Sequence, residues 1–147
     1  MFPQNIDDLH AIVKYVINQY FPELYSCYLT TEYRNVEDSL SEVRHTYPFE
    51  DNQYKGEILL IIDDSMRRLG LKAIIGAIAH DLAHIVGWKG PGNPVISDRE
   101  ADNIVIERGL CAYLFESKKA LEELRPRFEI KGYNSKELRE IMRYSKN

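Results

Sequence analysis

Residues 54–63 constrain the fold more than any other segment, because they contain the strongly apolar and β-branched run Ile58 to Ile62. The run is too short to form a helix alone, and the polar residues from Asp63 onward end it. It is also far shorter than the roughly 20 residues that a membrane-spanning helix needs. We therefore predict a β-strand over residues 54–63 and no membrane span.

The segments before this strand, with the helices predicted after it, indicate an α+β domain in which strands come early and helices late. Apolar residues at helical spacing predict a first helix over residues 6–20, capped by Asn5 or Asp7. Tyr and Thr side chains favour a strand over residues 24–33. The acidic stretch 36–53 is expected to be a loop with one short element near its middle. The resulting sheet should be small and mostly antiparallel.

Further helices are predicted after residue 63, and breaker residues separate them. The first covers residues 69–87, before a loop rich in Gly and Pro. The Ser-Asp-Arg-Glu sequence at 97–100 is a capping box that begins a second helix, which should run to about Leu124 with a break at Gly109. A second capping box at 134–137 begins a short C-terminal helix.

The composition is that of one ordinary globular domain. A length of 147 residues with 44% hydrophobic side chains supplies enough apolar material for a core, which we assign to residues 1–125, with a helical tail over 126–147. The net charge of −4 argues against nucleic acid as a partner. Cys27 and Cys111 are too few and too far apart for a disulfide scaffold, so both are expected to be free thiols. With no secretory signal recognisable in the first 20 residues, this predicts a cytoplasmic protein.

The charge is distributed unevenly along the chain. Residues 118–147 contain nine Lys or Arg and five Glu, a balance of +4, whereas the preceding residues carry −8. A basic segment beside an acidic body favours docking of the tail onto the body, or association into a homodimer, although a solvated helix shows the same pattern. If the tail covers a cleft, deletion of residues 130–147 should raise activity.

The histidines of the 69–87 helix carry the most informative chemistry. His80 and His84 are four residues apart, so they lie on one helix face and can share a metal ion such as Zn²⁺. Small residues line the rest of this face, which we interpret as space for a metal, a water molecule and a substrate: Ala73, Gly76, Ala77 and Gly87. Histidine pairs at this spacing also occur by chance in protein cores.

The next helix offers the carboxylate that a catalytic zinc site requires. Asp98 and Asp102 share a face, whereas Glu100 is rotated away and is expected to serve the capping box. Asp98 and Asp102 are therefore both candidate third ligands, with Glu100 as the alternative ligand if the helix begins later. Acids in a first helical turn also stabilise the helix dipole without binding a metal. Two His and one carboxylate leave a fourth position open for water, as in catalytic zinc sites.

The sequence His80-Asp-Leu-Ala-His84 resembles the HExxH motif of zincin metallopeptidases, and Asp98-Arg-Glu-Ala-Asp102 resembles the ExxAD helix of gluzincins. The nearest likeness is to the small minigluzincins and to the catalytic cores of membrane-bound prenyl-protein and heat-shock peptidases. This resemblance implies a zincin-like fold in which both histidines and Asp98 bind zinc. It implies that Asp102 supports the ligands and that Asp81 takes the place of the general base.

The resemblance also implies metal-assisted hydrolysis of a peptide or protein substrate. In that mechanism Asp81 takes a proton from the metal-bound water and passes it to the leaving amine. The strand at 54–63 is expected to hold the extended substrate by β-augmentation. Tyr113 and Tyr133 are candidate donors to the oxyanion.

Both acids of the motifs are shorter here than in the family. Asp81 and Asp98 stand where the family has Glu, and each loses roughly 1.3 Å of reach. Full activity then requires the two helices to lie closer together, since a base misplaced by about 1 Å can lose on the order of a hundredfold in rate. Without that compensation, the chain would be a weak or latent peptidase.

Two other hypotheses are open. His80 and Asp81 also resemble the adjacent pair of HD-domain phosphohydrolases, in which His45 and an aspartate of the next helix would complete the metal site and the substrate would be a phosphoester. HD domains are helical throughout, so a strand at 54–63 argues against this hypothesis. In the third hypothesis the chain is not an enzyme, the histidines and acids are structural, and the acidic surface binds a partner. A metal-binding relative of the family that has lost catalysis is a further alternative.

Overall fold

The computed structural model describes residues 5–46, 49–50 and 53–144, and these form an α+β fold as predicted. The helices of this part are α1 Leu9–Tyr20, α2 Leu71–Gly87, α3 Asp98–Glu107, α4 Cys111–Leu124 and α5 Ser135–Tyr144. Its strands are β1 Tyr28–Arg34, β2 Ser41–His45, β3 Phe49–Glu50, β4 Gln53–Tyr54 and β5 Glu57–Asp63. Within these residues, every helix is too short or too polar to cross a membrane.

The helix ends follow local capping chemistry. Asp8, rather than Asn5 or Asp7, caps α1, because its carboxylate accepts a hydrogen bond from the Ala11 N–H at 3.0 Å. The predicted break at Gly109 is confirmed, and the positive φ of +86° at this residue separates α3 from α4. Both predicted capping boxes form, at residues 97–100 and 134–137.

The main sheet is mixed, so the prediction of a mostly antiparallel sheet is wrong. Its strand order is β1-β5-β2, with β1 parallel and β2 antiparallel to β5. The most apolar strand takes the central position, since it can bury side chains on both faces. Strand order depends on contacts between distant segments, and hydrophobic pattern within one strand carries little information about it.

The strand boundaries also differ from the predictions. Gly56 separates β4 from β5, so Tyr54 belongs to a short β3–β4 hairpin and the predicted 54–63 strand begins at Glu57. The predicted 24–33 strand begins later, because Pro22–Leu24 form a 3₁₀ turn. The short element expected within 36–53 is β2, and residues 47–48 and 51–52 of that stretch lie outside the described residues.

Helix α2 is packed between the sheet and the other helices, and two glycines allow this close packing. A Cβ at Gly76 would lie 2.1 Å from the backbone oxygen of Tyr113 on α4, and one at Gly87 would lie 2.5 Å from the Ile96 side chain, just before α3. The interpretation of these two small residues as space for a substrate is therefore wrong. They bring α3 and α4 close to the histidine helix.

The C-terminal segment is part of the domain. Helix α5 packs against α4, and Leu138 is fully buried in the main core. The predicted helical tail therefore packs onto the rest of the domain through α5, and its residues 145–147 lie outside the described part. Cys27 and Cys111 are free thiols, as predicted.

Candidate metal centre

His80, His84 and Asp98 converge on one point between α2 and α3. Asp98 Oδ1 lies 3.0 Å from the Nε2 atom of each histidine, and the two Nε2 atoms are 3.2 Å apart. In the described part of the chain, these residues form the one group of three His, Cys, Asp or Glu side chains whose ligand atoms could hold a metal ion. Spacing in the sequence predicted that the two histidines share a face, the family resemblance implied Asp98 as the third ligand, and the structure brings all three side chains together.

The geometry of this triangle fits a tetrahedral metal ion. With metal–ligand bonds of about 2.0–2.1 Å, neighbouring ligand atoms of a tetrahedral zinc site lie roughly 3.3–3.4 Å apart. The observed edges of 3.0, 3.0 and 3.2 Å agree with this to within a few tenths of an ångström. The shorter Asp98 side chain reaches both histidines because α3 approaches α2 closely at Gly87.

Asp102 holds the other nitrogen of His80. Its Oδ1 atom lies 2.7 Å from His80 Nδ1, and the carboxylate is fully buried one turn after Asp98 on α3. A carboxylate that accepts from Nδ1–H fixes the histidine tautomer and leaves Nε2 free to bind a metal. This is the supporting position that the sequence resemblance implied for Asp102.

Two further groups reach Asp102, and the sequence analysis did not identify them. The ammonium group of Lys118 on α4 lies 2.9 Å from Asp102 Oδ2, and the Tyr133 backbone N–H donates to the same oxygen at 2.9 Å. One signal was available for Lys118, because it lies four residues after Leu114 on the buried face of α4. No side-chain pattern could indicate the Tyr133 contact, since the backbone makes it.

Hydrogen bonds set the charge states of the cluster in the metal-free protein. Burial favours neutral His80, but hydrogen bonds to Asp102 and Asp98 outweigh burial and raise the pKa of His80 to about 9. Burial and the neighbouring His80 lower the pKa of His84. Hydrogen bonds to both histidines hold the pKa of Asp98 well below its usual range. At neutral pH the cluster therefore contains protonated His80, neutral His84 and an ionised Asp98.

The metal-free protein should lose stability as the pH rises from about 6.5 to about 9. The folded-state pKa of His80, about 9, exceeds the ordinary histidine value of 6.5, so the stabilising effect of His80 is complete below pH 6.5 and is lost as the pH rises through 9. Since one pKa unit corresponds to about 1.4 kcal/mol, we expect a loss on the order of 3 kcal/mol. Urea unfolding with a chelator present measures this loss of unfolding free energy at each pH. The substitution His80→Gln should flatten the dependence of stability on pH. Equal pH profiles of both proteins would contradict the assignment.

Asp81 lies beside this cluster and is almost completely buried. Burial raises the pKa of Asp81 to about 6, although a hydrogen bond with Ser41 of β2 opposes the shift. Its Oδ2 atom has no hydrogen-bond partner among the described residues. A carboxylate with a free oxygen and a raised pKa has the properties of a general base near neutral pH.

A cleft of about 350 Å³ opens over the cluster. Residues 38–43 form one wall, α2 contributes both histidines and Asp81, and residues 128–131 close another side. Strand β2 is at the sheet edge beside this cleft, whereas β5 is paired on both sides. The predicted role of the 54–63 strand in holding a substrate is therefore wrong, because the backbone groups of β5 already bond to β1 and β2.

Several predicted site residues lie elsewhere. Glu100 stays in the capping box with Ser97, outside the ligand cluster. The Tyr133 hydroxyl donates to Asn103 at 2.7 Å, and neither Tyr133 nor Tyr113 lines the cleft, so neither is placed to donate to an oxyanion there. His45 packs against the Trp88 ring, with the ring centroids 5.4 Å apart.

The tail does not act as a separable cover of the cleft. Residues 128–131 line one side, but the Tyr133 N–H and the Lys131 carbonyl bond to Asp102 and Lys118. Deletion of residues 130–147 would remove both contacts together with the buried part of α5. We therefore expect this deletion to remove support for the site, and not to raise activity.

Comparison of this chain with protein families, with curated proteins and with solved structures finds no match.

Proposed function

We propose that this chain is a zinc-dependent peptidase whose metal ligands are His80, His84 and Asp98. The observation that carries the proposal is the convergence of two Nε2 atoms and one carboxylate oxygen at the floor of an open cleft. Two imidazoles and one carboxylate suit zinc and leave one position for water, which is the ligand set of a hydrolytic site rather than a closed structural one.

Each polar side chain of the centre has a defined role in this proposal. A zinc ion held by these three residues would supply a Lewis acid and would lower the pKa of a bound water molecule toward neutrality. Asp81 accepts a proton at its free Oδ2 atom and later donates it to the leaving amine. Asp102 keeps the proton of His80 on Nδ1, so that Nε2 faces Asp98 and His84.

Strand β2 is the element that fits an extended substrate. It is an edge strand beside the cleft, and its pairing in the described part of the chain is with β5 alone. The free edge of such a strand offers unpaired N–H and C=O groups, to which a peptide adds as a further strand. Leu40 to Val43 line the cleft next to Asp81, which favours a peptide over a compact small molecule.

The phosphohydrolase hypothesis has less support from the same geometry. It requires a helical segment where the chain forms β5, and it requires His45 near the cluster, although that ring packs against Trp88. A metal-binding relative without catalysis shares the ligand cluster, so only a hydrolysis assay separates it from the peptidase.

Elemental analysis and a peptide assay test the proposal together. We expect about one zinc per chain in untagged protein, and cleavage of a mixed fluorogenic peptide library that a chelator abolishes and added Zn²⁺ restores. Bis(p-nitrophenyl) phosphate serves as the phosphoester control and should stay intact. Zinc binding without peptide cleavage would favour the inactive relative, and protein without bound zinc would overturn the metal centre itself.

A further inference from the structure

Lys118 of α4 is a buried cation for which the proposed mechanism has no use. The residue is only 6% exposed, and its ammonium group contacts Asp102 Oδ2 at 2.9 Å and donates to the Lys131 carbonyl oxygen at 2.6 Å. Burial of an ammonium group is costly unless it is paired and hydrogen-bonded. Its contacts therefore show what the side chain holds in place, namely Asp102 and the segment between α4 and α5.

The partners of Asp102 are divided between its two oxygens. Lys118 and the Tyr133 N–H both contact Oδ2, whereas His80 Nδ1 contacts Oδ1. The two contacts on Oδ2 fix the rotation of the carboxylate and direct Oδ1 toward His80. Residues from α4 and from the segment after it thus set the orientation of a metal-facing histidine on α2.

The turn at residues 131–133 fits against α3 because position 132 is glycine. A Cβ at Gly132 would lie 2.3 Å from Asp102 Oδ2 and 3.1 Å from the Asp98 backbone oxygen. The residue also has φ +77°, which favours glycine. Any larger side chain here would displace the Asp102 carboxylate, or the turn that bonds to it.

We propose that Lys118 is a positioning residue of the metal centre, which together with the Gly132–Tyr133 turn locks Asp102 against His80. The inference rests on the proposed metal centre and adds that α4 and the segment after it determine how tightly the metal binds. Loss of the carboxylate that holds a metal-binding histidine typically lowers metal affinity by 10- to 100-fold, and Lys118 acts through such a carboxylate.

Zinc affinity of Lys118→Met, measured by competition with a chromogenic chelator, tests the inference. Methionine keeps the length of the side chain but removes the ammonium group, and we expect about 10- to 100-fold weaker binding. Lys119→Met is the matched control, because Lys119 is the exposed neighbour on the same helix, and its affinity should equal that of the unchanged protein. In zinc-loaded protein, the NMR signal of the His80 Nδ1 proton should move upfield in Lys118→Met only.

A pair of glycine variants tests the same inference without altering the charge. Gly132→Ala places a methyl group against Asp102 and should weaken zinc binding by at least tenfold. Gly109→Ala carries similar backbone strain, since φ there is +86°, but its Cβ would meet nothing within 4 Å. It should lower stability while leaving zinc affinity unchanged.

The readouts separate this inference from the proposed activity. The positioning role would be overturned if Lys118→Met bound zinc as tightly as the unchanged protein and left the His80 signal in place. It would also be overturned if Gly132→Ala and Gly109→Ala bound zinc equally well. Either result would count even if peptides are cleaved. Failure to cleave peptides would overturn the peptidase proposal and leave the affinity comparison intact. Absence of zinc binding by the unchanged protein would overturn both.

Discussion

Replacement of Asp81 by asparagine is expected to lower kcat/KM for peptide hydrolysis by roughly 10²- to 10⁴-fold, the usual contribution of a general base. Asparagine has nearly the same shape as aspartate but cannot accept the proton of the attacking water. Because Asp81 is not one of the three converging ligand groups, zinc content should stay at the level of the unchanged protein. Steady-state kinetics together with elemental analysis measure both quantities.

The same substitution should not destabilise the protein at pH 7.5. The folded-state pKa of Asp81, about 6, lies above the ordinary aspartate value of 3.8, so the ionised form disfavours folding at neutral pH. Asparagine removes that charge, so Asp81→Asn should unfold at a urea concentration at least as high as the unchanged protein does. Asp64→Asn, at an exposed aspartate of the same chain, is the control and should preserve activity. Full activity in Asp81→Asn would exclude this carboxylate as the base.

Those parts of the ligand cluster that depend on local geometry could be predicted from the sequence. Helical periodicity places His80 and His84 on one face, and the Ser97 capping box fixes where α3 begins and hence which acids share a face. That same capping box assigns Glu100 to the helix end and leaves Asp98 directed toward the histidines. Interactions within a few residues of one another settle each of these points.

The features that the sequence did not predict are set by contacts between distant segments. The central position of β5 depends on how β1 and β2 pair with it, so the assignment of the substrate-binding edge to residues 54–63 was wrong. The contact of Lys118 with Asp102 joins α4 to α3, and the close packing at Gly76 joins α2 to α4. A helix face of small residues can pack closely against another helix or can make space for a ligand. The sequence pattern is the same in both cases, which is why Gly76 and Gly87 were misassigned.

Replacement of His84 by alanine is expected to weaken zinc binding on the order of a thousandfold. A zinc site with a total binding free energy of roughly 10–16 kcal/mol, shared among its ligands, loses several kcal/mol with one of them. In the described part of the chain, no fourth His, Cys, Asp or Glu joins this group of three, so no further ligand is placed to replace His84. Chelator competition measures the affinity, with His10→Ala, an exposed histidine on α1, as the control.

Stability measured with and without zinc distinguishes a ligand from a structural histidine at this position. Burial and His80 lower the pKa of His84, so at pH 7.5 it is neutral, and its side chain is 24% exposed. Its removal should therefore cost the metal-free protein little. In the unchanged protein, zinc at about 100 times the Kd should stabilise the fold by roughly 2.7 kcal/mol, whereas His84→Ala should gain almost nothing at the same zinc concentration. If zinc raised the Tm of both proteins equally, the ion would be binding elsewhere, and the assignment of His84 as a ligand would fail.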